Sequence, residues 1–217
     1  MKSSLWDYVL SGLYITAFVL LSAGAVAVLL PFSRQAFGDF HVLVDTALFV
    51  ALFGLLCAAA VRILWARQPL PMGSHALDSP LFARWKLLTV LYHLGRGALR
   101  PLVPFFMLPV VDLALGARVG SDVAFGGMID DPYLVSIGDE VVLGHNSLVT
   151  GSYLSGGQLV VGAVAIGKGA TIGANALVFP DVVIGAGANV MSGACVMPGS
   201  RIPAGETWRG NPARKWL

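Results

Sequence analysis

Two hydrophobic patterns divide this chain. From Tyr8 to Ser33 there are 26 consecutive residues without a charged side chain, more than the roughly 20 that a helix needs to cross a hydrocarbon core. A short polar link, Ser33 to His41, leads to a second apolar segment, Val42–Leu64, whose only acid is Asp45 at its entering end. An acid so placed can snorkel to the interface, whereas one deep in a bilayer marks a functional site; the interfacial place is the simpler expectation. Ala25-Val26-Ala27 resembles a signal-peptide cleavage site, but the apolar stretch is too long for an h-region and Asp7 offsets Lys2. The pattern therefore predicts two retained transmembrane helices over residues 1–68.

From Ile166 onward the periodicity changes. An apolar residue recurs every sixth position at Ile166, Ile172, Val178, Ile184, Val190, Val196 and Ile202, and the same phase appears earlier at Val119, Phe125, Ile137 and Leu143. Four residues after each member of the later run lies a small residue, Ala170, Ala176, Val182, Ala188, Ala194 or Ser200, until Glu206 breaks the series. Neither a 3.6-residue helix nor a two-residue alternation produces a period of six. A coil of three short strands does, with the aliphatic residue pointing inward and one corner per hexapeptide. Stacking about five such coils at the usual strand spacing of about 4.8 Å buries continuous apolar columns. Glycines such as Gly167, Gly173 and Gly185 follow the apolar residue, where they are expected to relieve corners that need unusual dihedrals. Residues 115–217 are thus read as a parallel β-helix.

Between these regions, residues 69–114 read as a linker with interfacial amphipathic helices. Pro69, Pro71, Gly73 and Pro80 punctuate it, and Leu81–Leu94 interleaves aromatics with Arg84, Lys86 and His93, as suits a membrane surface. Pro101, Pro104 and Pro109 break a further apolar stretch, which reads as interfacial or re-entrant. From Arg62 to Val110 the basic residues Arg62, Arg67, Arg84, Lys86, Arg96 and Arg100 face a single acid, Asp78. The positive-inside rule places this block in the cytosol. Two spans then leave both termini and the β-helix on the cytosolic side of the inner membrane.

Composition sharpens the division. The chain is 56% hydrophobic and 12% charged, with a mean hydropathy of +0.77; about 25% charge is usual for a soluble domain. Wholly soluble, disordered and collagen-like chains are excluded, the last because the glycines have no period of three. The net charge is +2 and no basic run with interleaved aromatics suggests nucleic acid. Cys57 and Cys195 show no metal or redox spacing, consistent with a reducing compartment.

The repeat is interrupted once, by Val149-Thr150-Gly151-Ser152-Tyr153-Leu154-Ser155-Gly156-Gly157-Gln158, directly after Gly144-His145-Asn146. Loops leaving a rigid scaffold concentrate function, and His145 is the only histidine of the repeat region. Its imidazole can accept a proton from an amine or hydroxyl near neutral pH; the plain alternative is an exposed corner residue. Asp130 and Asp131 lie about one coil earlier, where they can orient an imidazole or an acceptor amine, or simply make the turn before Pro132.

Through Gly116-Ala117-Arg118-Val119-Gly120, Val135-Ser136-Ile137-Gly138-Asp139 and Trp208-Arg209-Gly210-Asn211-Pro212-Ala213, the chain from Leu115 onward resembles the hexapeptide-repeat acyltransferases. The resemblance implies a left-handed parallel β-helix, a homotrimer, and a histidine general base that helps pass an acyl group directly from thioester to acceptor. His145 takes that role here, although relatives often carry the histidine slightly later, where this chain has Thr150 to Tyr153. From their places around His145 and the interruption, Asp130, Asp131, Asn146 and Tyr153 are the candidate substrate-binding residues. Arg209, Gly210, Asn211, Pro212 and Ala213 are implied to line the donor's pantetheine arm, unless they only cap the last coil; Arg209, Arg214 and Lys215 are candidates for donor phosphates.

The membrane segments ahead of the prism resemble the carboxy-terminal region of poly-lysine-synthetase-type nonribosomal peptide synthetases. That likeness implies an adenylation or carrier protein as partner, with stand-alone relative and fragment both open. The expected activity is transfer of an acyl or aminoacyl group from acyl-CoA or a phosphopantetheinyl carrier protein to an amine or hydroxyl, peptide-bond formation included. A non-catalytic trimeric membrane scaffold is the alternative. A γ-type carbonic anhydrase, which shares the fold, is disfavoured because catalytic zinc generally needs about three protein ligands, and no metal is expected.

Overall fold

The computed structural model of the chain describes residues 5–216; Lys2 lies outside them. Two helices, α1 (Leu5–Phe37) and α2 (His41–Arg67), are joined by a turn in which Gly38 takes φ +53°. They run antiparallel: Leu10 and Tyr14 share a groove with Leu64 and Arg67, whereas Val26 and Leu30 share one with His41 and Asp45. The helical stretch Leu5–Arg67 is long and apolar enough to cross a membrane, and only 28% of its most apolar window is buried, unlike a core helix of a soluble protein. Asp45 lies one turn into α2, at the entering end of the second apolar segment. It is buried, with Oδ1 unpartnered among the described residues, because α1 covers that face of α2.

The linker is more ordered than its prolines suggest. Strand β1 (Gly73–Ala76) precedes α3 (Pro80–Leu99), which starts where the Ser79 hydroxyl accepts from the Phe82 N–H and Pro80 occupies the first turn, a favoured beginning. Helix α3 packs on α2 through glycines: a Cβ on Gly54 would sit 2.6 Å from Leu99, and one on Gly95 3.1 Å from Cys57. Lys86 pairs with Asp7 of α1. After two short 3-10 turns comes α4 (Leu108–Ala114).

Beyond α4 the chain coils into a left-handed parallel β-solenoid of about five turns. The first coil is β2 (Arg118–Val119), β3 (Ala124–Phe125) and β4 (Met128–Asp130). The second is β5 (Val135–Ile137), β6 (Val142–Leu143) and β7 (Leu148–Thr150), followed by an excursion, β8 (Ser152–Ser155) and β9 (Gln158–Val161). The third is β10 (Val164–Ile166), β11 (Thr171–Ile172) and β12 (Leu177–Val178); the fourth is β13 (Val182–Ile184), β14 (Asn189–Val190) and β15 (Cys195–Val196). A partial fifth, β16 (Arg201–Ile202) and β17 (Thr207–Arg209), ends in β18 (Arg214–Trp216), which turns back antiparallel on β17.

Three parallel sheets form the faces, ordered β16-β13-β10-β5-β2, β17-β14-β11-β6-β3 and β15-β12-β7-β4. Every hexapeptide residue from Ile166 to Ile202 is buried in one core, as the period requires. The third face slips: Ile129 pairs with Val149 because the first coil turns this corner on Gly126 and Gly127 alone, two residues short of the later coils.

Corner glycines serve two purposes, and the expectation for Gly167, Gly173 and Gly185 is corrected. None of the three has positive φ. They are needed for space: a Cβ on Gly167 would lie 2.6 Å from the Ala186 nitrogen of the next coil. The left-handed corner positions fall elsewhere, on residues such as Asn146, Asn175 and Gly193. Asn tolerates that region at modest cost.

The excursion is a docking element. Strand β9 pairs antiparallel with β8 on one side and with β1 on the other, Gly73 opposite Val161. Leu159 and Val161 join a second core with Val61, Phe82, Leu88, Leu91 and Tyr133, fastening the helices to the prism.

Candidate active site

The prism has three edges, and the backbone ladder shows which corners stack. Along the edge after the β3, β6, β11, β14 and β17 strands, the Asn146 N–H donates to Gly126 (3.0 Å), the Asn175 N–H to His145 (3.0 Å) and the Gly193 N–H to Ala174 (2.8 Å). The Cys195 N–H then donates to Gly210 (2.9 Å), and Ala213 donates back to Cys195 (2.8 Å). His145 and the closing Gly210–Ala213 turn therefore share one edge, three coil steps apart, about 14 Å at the usual spacing.

His145 and Asn146 are exposed at this corner. The Asn146 amide donates to Asn175 Oδ1 at 2.8 Å, continuing the ladder in side chains. A Cβ on Gly126 would come 3.0 Å from the His145 nitrogen, and one on Gly127 would strike Ser147, so glycines below let the His145 turn seat closely. Among the described residues no side chain hydrogen-bonds the His145 imidazole, which leaves both ring nitrogens open. At the closing turn Arg209 lies over the Trp216 ring at 4.7 Å, and the Asn211–Pro212 bond is cis. Lys215 is engaged by Glu206 at 2.6 Å, which holds the Glu206 carboxyl below its ordinary range, helped by the Trp208 indole N–H. Arg209, Gly210, Asn211 and Pro212 are exposed, while Ala213 is buried.

Asp130, Asp131 and Tyr153 belong to a different edge. Residues 148–150 of β7 separate them from His145, and Asp130 stands opposite Thr150 in the ladder. Asp131 is 2% exposed. It accepts from Tyr133 Oη at 2.9 Å and Ser152 Oγ at 2.5 Å, and the Trp85 indole N–H donates to the same Ser152 hydroxyl at 2.9 Å. Burial pushes its carboxyl pKa up against those two donors. Asp130 accepts from Arg96 at 3.3 Å. Tyr153 packs edge-on against Phe179, with centroids 5.3 Å apart.

Arg96 and Asp112 are functional to the junction and were not singled out by sequence. Arg96 donates to Asp112 at 2.8 Å and also to the Ile129 carbonyl, with its face over the Tyr92 ring. A signal existed: Leu88, Leu91, Tyr92, Gly95, Arg96 and Leu99 form the buried stripe of α3, so Arg96 falls on an apolar helical face.

No protein-family model matches the chain, and no curated protein matches it. Among solved structures, a hexapeptide-repeat acetyltransferase of Vibrio cholerae is 16% identical, covering 67% of this chain and 94% of its own, with a TM-score of 0.53. A serine acetyltransferase of Neisseria gonorrhoeae is 18% identical over 94% of this chain and 91% of that one, with a TM-score of 0.42. A hexapeptide transferase family protein of Anaplasma phagocytophilum is 22% identical over 46% of this chain, with a TM-score of 0.38; the match spans 54% of that protein's length. The V. cholerae superposition establishes a shared fold, the hexapeptide β-solenoid.

Proposed function

We propose that this chain is a membrane-anchored acyltransferase whose reaction centre lies on the His145 edge of the prism. One observation carries the reading: His145 and the Gly210–Ala213 turn stand on the same edge, about 14 Å apart by coil spacing, a separation suited to an extended pantetheine arm. The donor is a thioester, acyl-CoA or an acyl or aminoacyl carrier protein. Arg209 and the exposed backbone of residues 210–212 hold its arm, and Asn146 orients the acceptor.

His145 accepts the proton of an amine or hydroxyl as that atom attacks the thioester carbonyl. A new N–C or O–C bond forms, the C–S bond breaks, and the thiolate leaves with the proton returned by the imidazole. With an aminoacyl donor and an amine acceptor, the product is a peptide bond. The described residues of a single chain offer an open edge and none that orients the imidazole, so a homotrimer supplies the second wall of the donor groove from a neighbouring copy. The apolar α1–α2 pair is read as two spans, with the basic Arg62–Arg100 block and the prism on the cytosolic side of the inner membrane.

The unpartnered imidazole also fits a non-catalytic scaffold for a peptide-synthetase system. Single-turnover transfer from acetyl-CoA and from a charged carrier protein to amines separates the two readings. His145→Ala is expected to slow transfer by about 10²–10⁴-fold with the oligomer intact. Equal rates in wild type and variant would leave the scaffold.

A further inference from the structure

Two cavities, of about 570 and 390 Å³, meet where α2 ends against the first coil, sharing Trp65, Arg118 and Tyr133. Their floor is the outer face of one sheet, where Arg118 pairs with Ser136 and Ser136 with Ala165. Small side chains at these registered positions keep the groove open beside the Trp65 ring. Arg62, two residues before the end of the apolar segment, reaches the same space and donates to the Leu113 carbonyl at 3.3 Å. Among the described residues neither Arg62 nor Arg118 meets a carboxylate, and no acid lines either cavity. Two other cations of the helical region are neutralised, Arg96 by Asp112 and Asp130 and Lys86 by Asp7. Two guanidinium groups left facing one groove are suited to phosphate, which they can bind through paired N–H donors.

The surroundings distinguish a lipid from a free anion. Leu113 lines the groove, and Val110, three residues earlier on α4, shares its exposed face. Phe105 and Phe106 are also largely exposed just before it. A phosphate held by Arg62 and Arg118 would thus carry its alkyl chains past an apolar wall, at the level where the spanning pair ends.

We infer that the groove between α2, α4 and the first coil binds the phosphate headgroup of an anionic glycerophospholipid. The site lies on a different part of the prism from His145. The inference rests on the membrane reading above for the depth of the groove, not for its chemistry.

The test is titration calorimetry of the full chain in mild detergent with short-chain phosphatidylglycerol, short-chain phosphatidylcholine and inorganic phosphate. Phosphatidylglycerol should saturate one site per chain, and phosphatidylcholine should bind at least about tenfold more weakly because its own cation opposes the arginines. Phosphate should not displace the lipid at equal concentration. Arg118→Gln should weaken phosphatidylglycerol by about tenfold or more with an unchanged unfolding temperature, since the Arg118 side chain has no hydrogen-bond or ion-pair partner among the described residues. Arg62→Lys, which keeps the charge but loses the fork, should weaken it less.

Unaltered lipid binding by Arg118→Gln, or equal binding of the two lipids, would overturn the inference. Competition by phosphate at equal strength would do so as well, leaving a site for free phosphate. Because these lipids are water-soluble, the assay also runs on a chain that needs no detergent. Solubility without detergent would sink the membrane anchor alone, and the same lipid arms would still decide the groove.

Discussion

The prism and the junction that fastens it to the helices are held together by opposite means. In the prism, each buried aliphatic residue meets its counterpart one coil above and below, Ile172 beside Leu143 and Val190, and the same contact recurs along every face. Such stability is a sum of similar nearest-neighbour terms. At the junction nothing repeats. Arg96 ties α3 to Asp112, Asp130 and the Ile129 carbonyl, Trp85 reaches across from α3 to Ser152, and β1 pairs with the excursion from the helical side. Repetition makes the prism tolerant of local loss, whereas the junction combines one non-repeating apolar core with a few buried polar partners drawn from distant parts of the chain.

The comparison breaks most visibly at Arg96. Arg96→Met removes the cation and leaves Asp112 buried without its partner, at a cost of about 3–5 kcal/mol. Limited proteolysis should then cut between helices and prism while the prism keeps its own unfolding transition; a single concerted transition would contradict the contrast. In the prism, Ile172→Ala should cost about 2–5 kcal/mol, read by denaturant unfolding, with protection lost in the adjoining coils and the junction amides unchanged.

A smaller effect distinguishes the regions by pH. Asp131, facing Ser152, Tyr133, Asp130 and the more distant His93, has its carboxyl pKa raised by burial. Its folded form binds a proton more tightly than the unfolded form. The stability it contributes is therefore complete below the unfolded carboxylate range, about pH 4, and fades as pH rises through its folded value. Asp131→Asn should flatten this dependence in hydrogen exchange of the β8–β9 amides. Persistence of the slope in the variant would assign it to another group.

The same contrast explains what could be read from the residues alone. The apolar columns were legible because a period of six has one compact solution, and all of its later members are buried. Gly126 and Gly127 hid the slip that places Ile129 in the third column, since no period announces a shortened corner. The need for Gly167 and Gly173 was visible, but their cause was not: close approach to the next coil is a property of the stack. The excursion after Thr150 looked like a functional loop because the partner of β9, β1, lies in a proline-marked linker some eighty-five residues earlier, and antiparallel pairing over such a distance leaves no local trace. Asp130 and Asp131 were legible as an acidic pair one coil before His145, but only the fold shows that Asp130 faces Arg96 and Asp131 faces Tyr133 and Ser152.

The central claim, that donor chemistry runs along the His145 edge, can be tested without touching His145. Ser192 and Ala186 occupy corners of the same fourth coil, both exposed, Ser192 on the edge between His145 and Gly210 and Ala186 on the preceding one. Steady-state transfer from acetyl-CoA should show KM for the donor raised roughly tenfold or more by Ser192→Trp, and unchanged by Ala186→Trp. Equal donor KM in the two variants, or a rise confined to Ala186→Trp, would contradict the account.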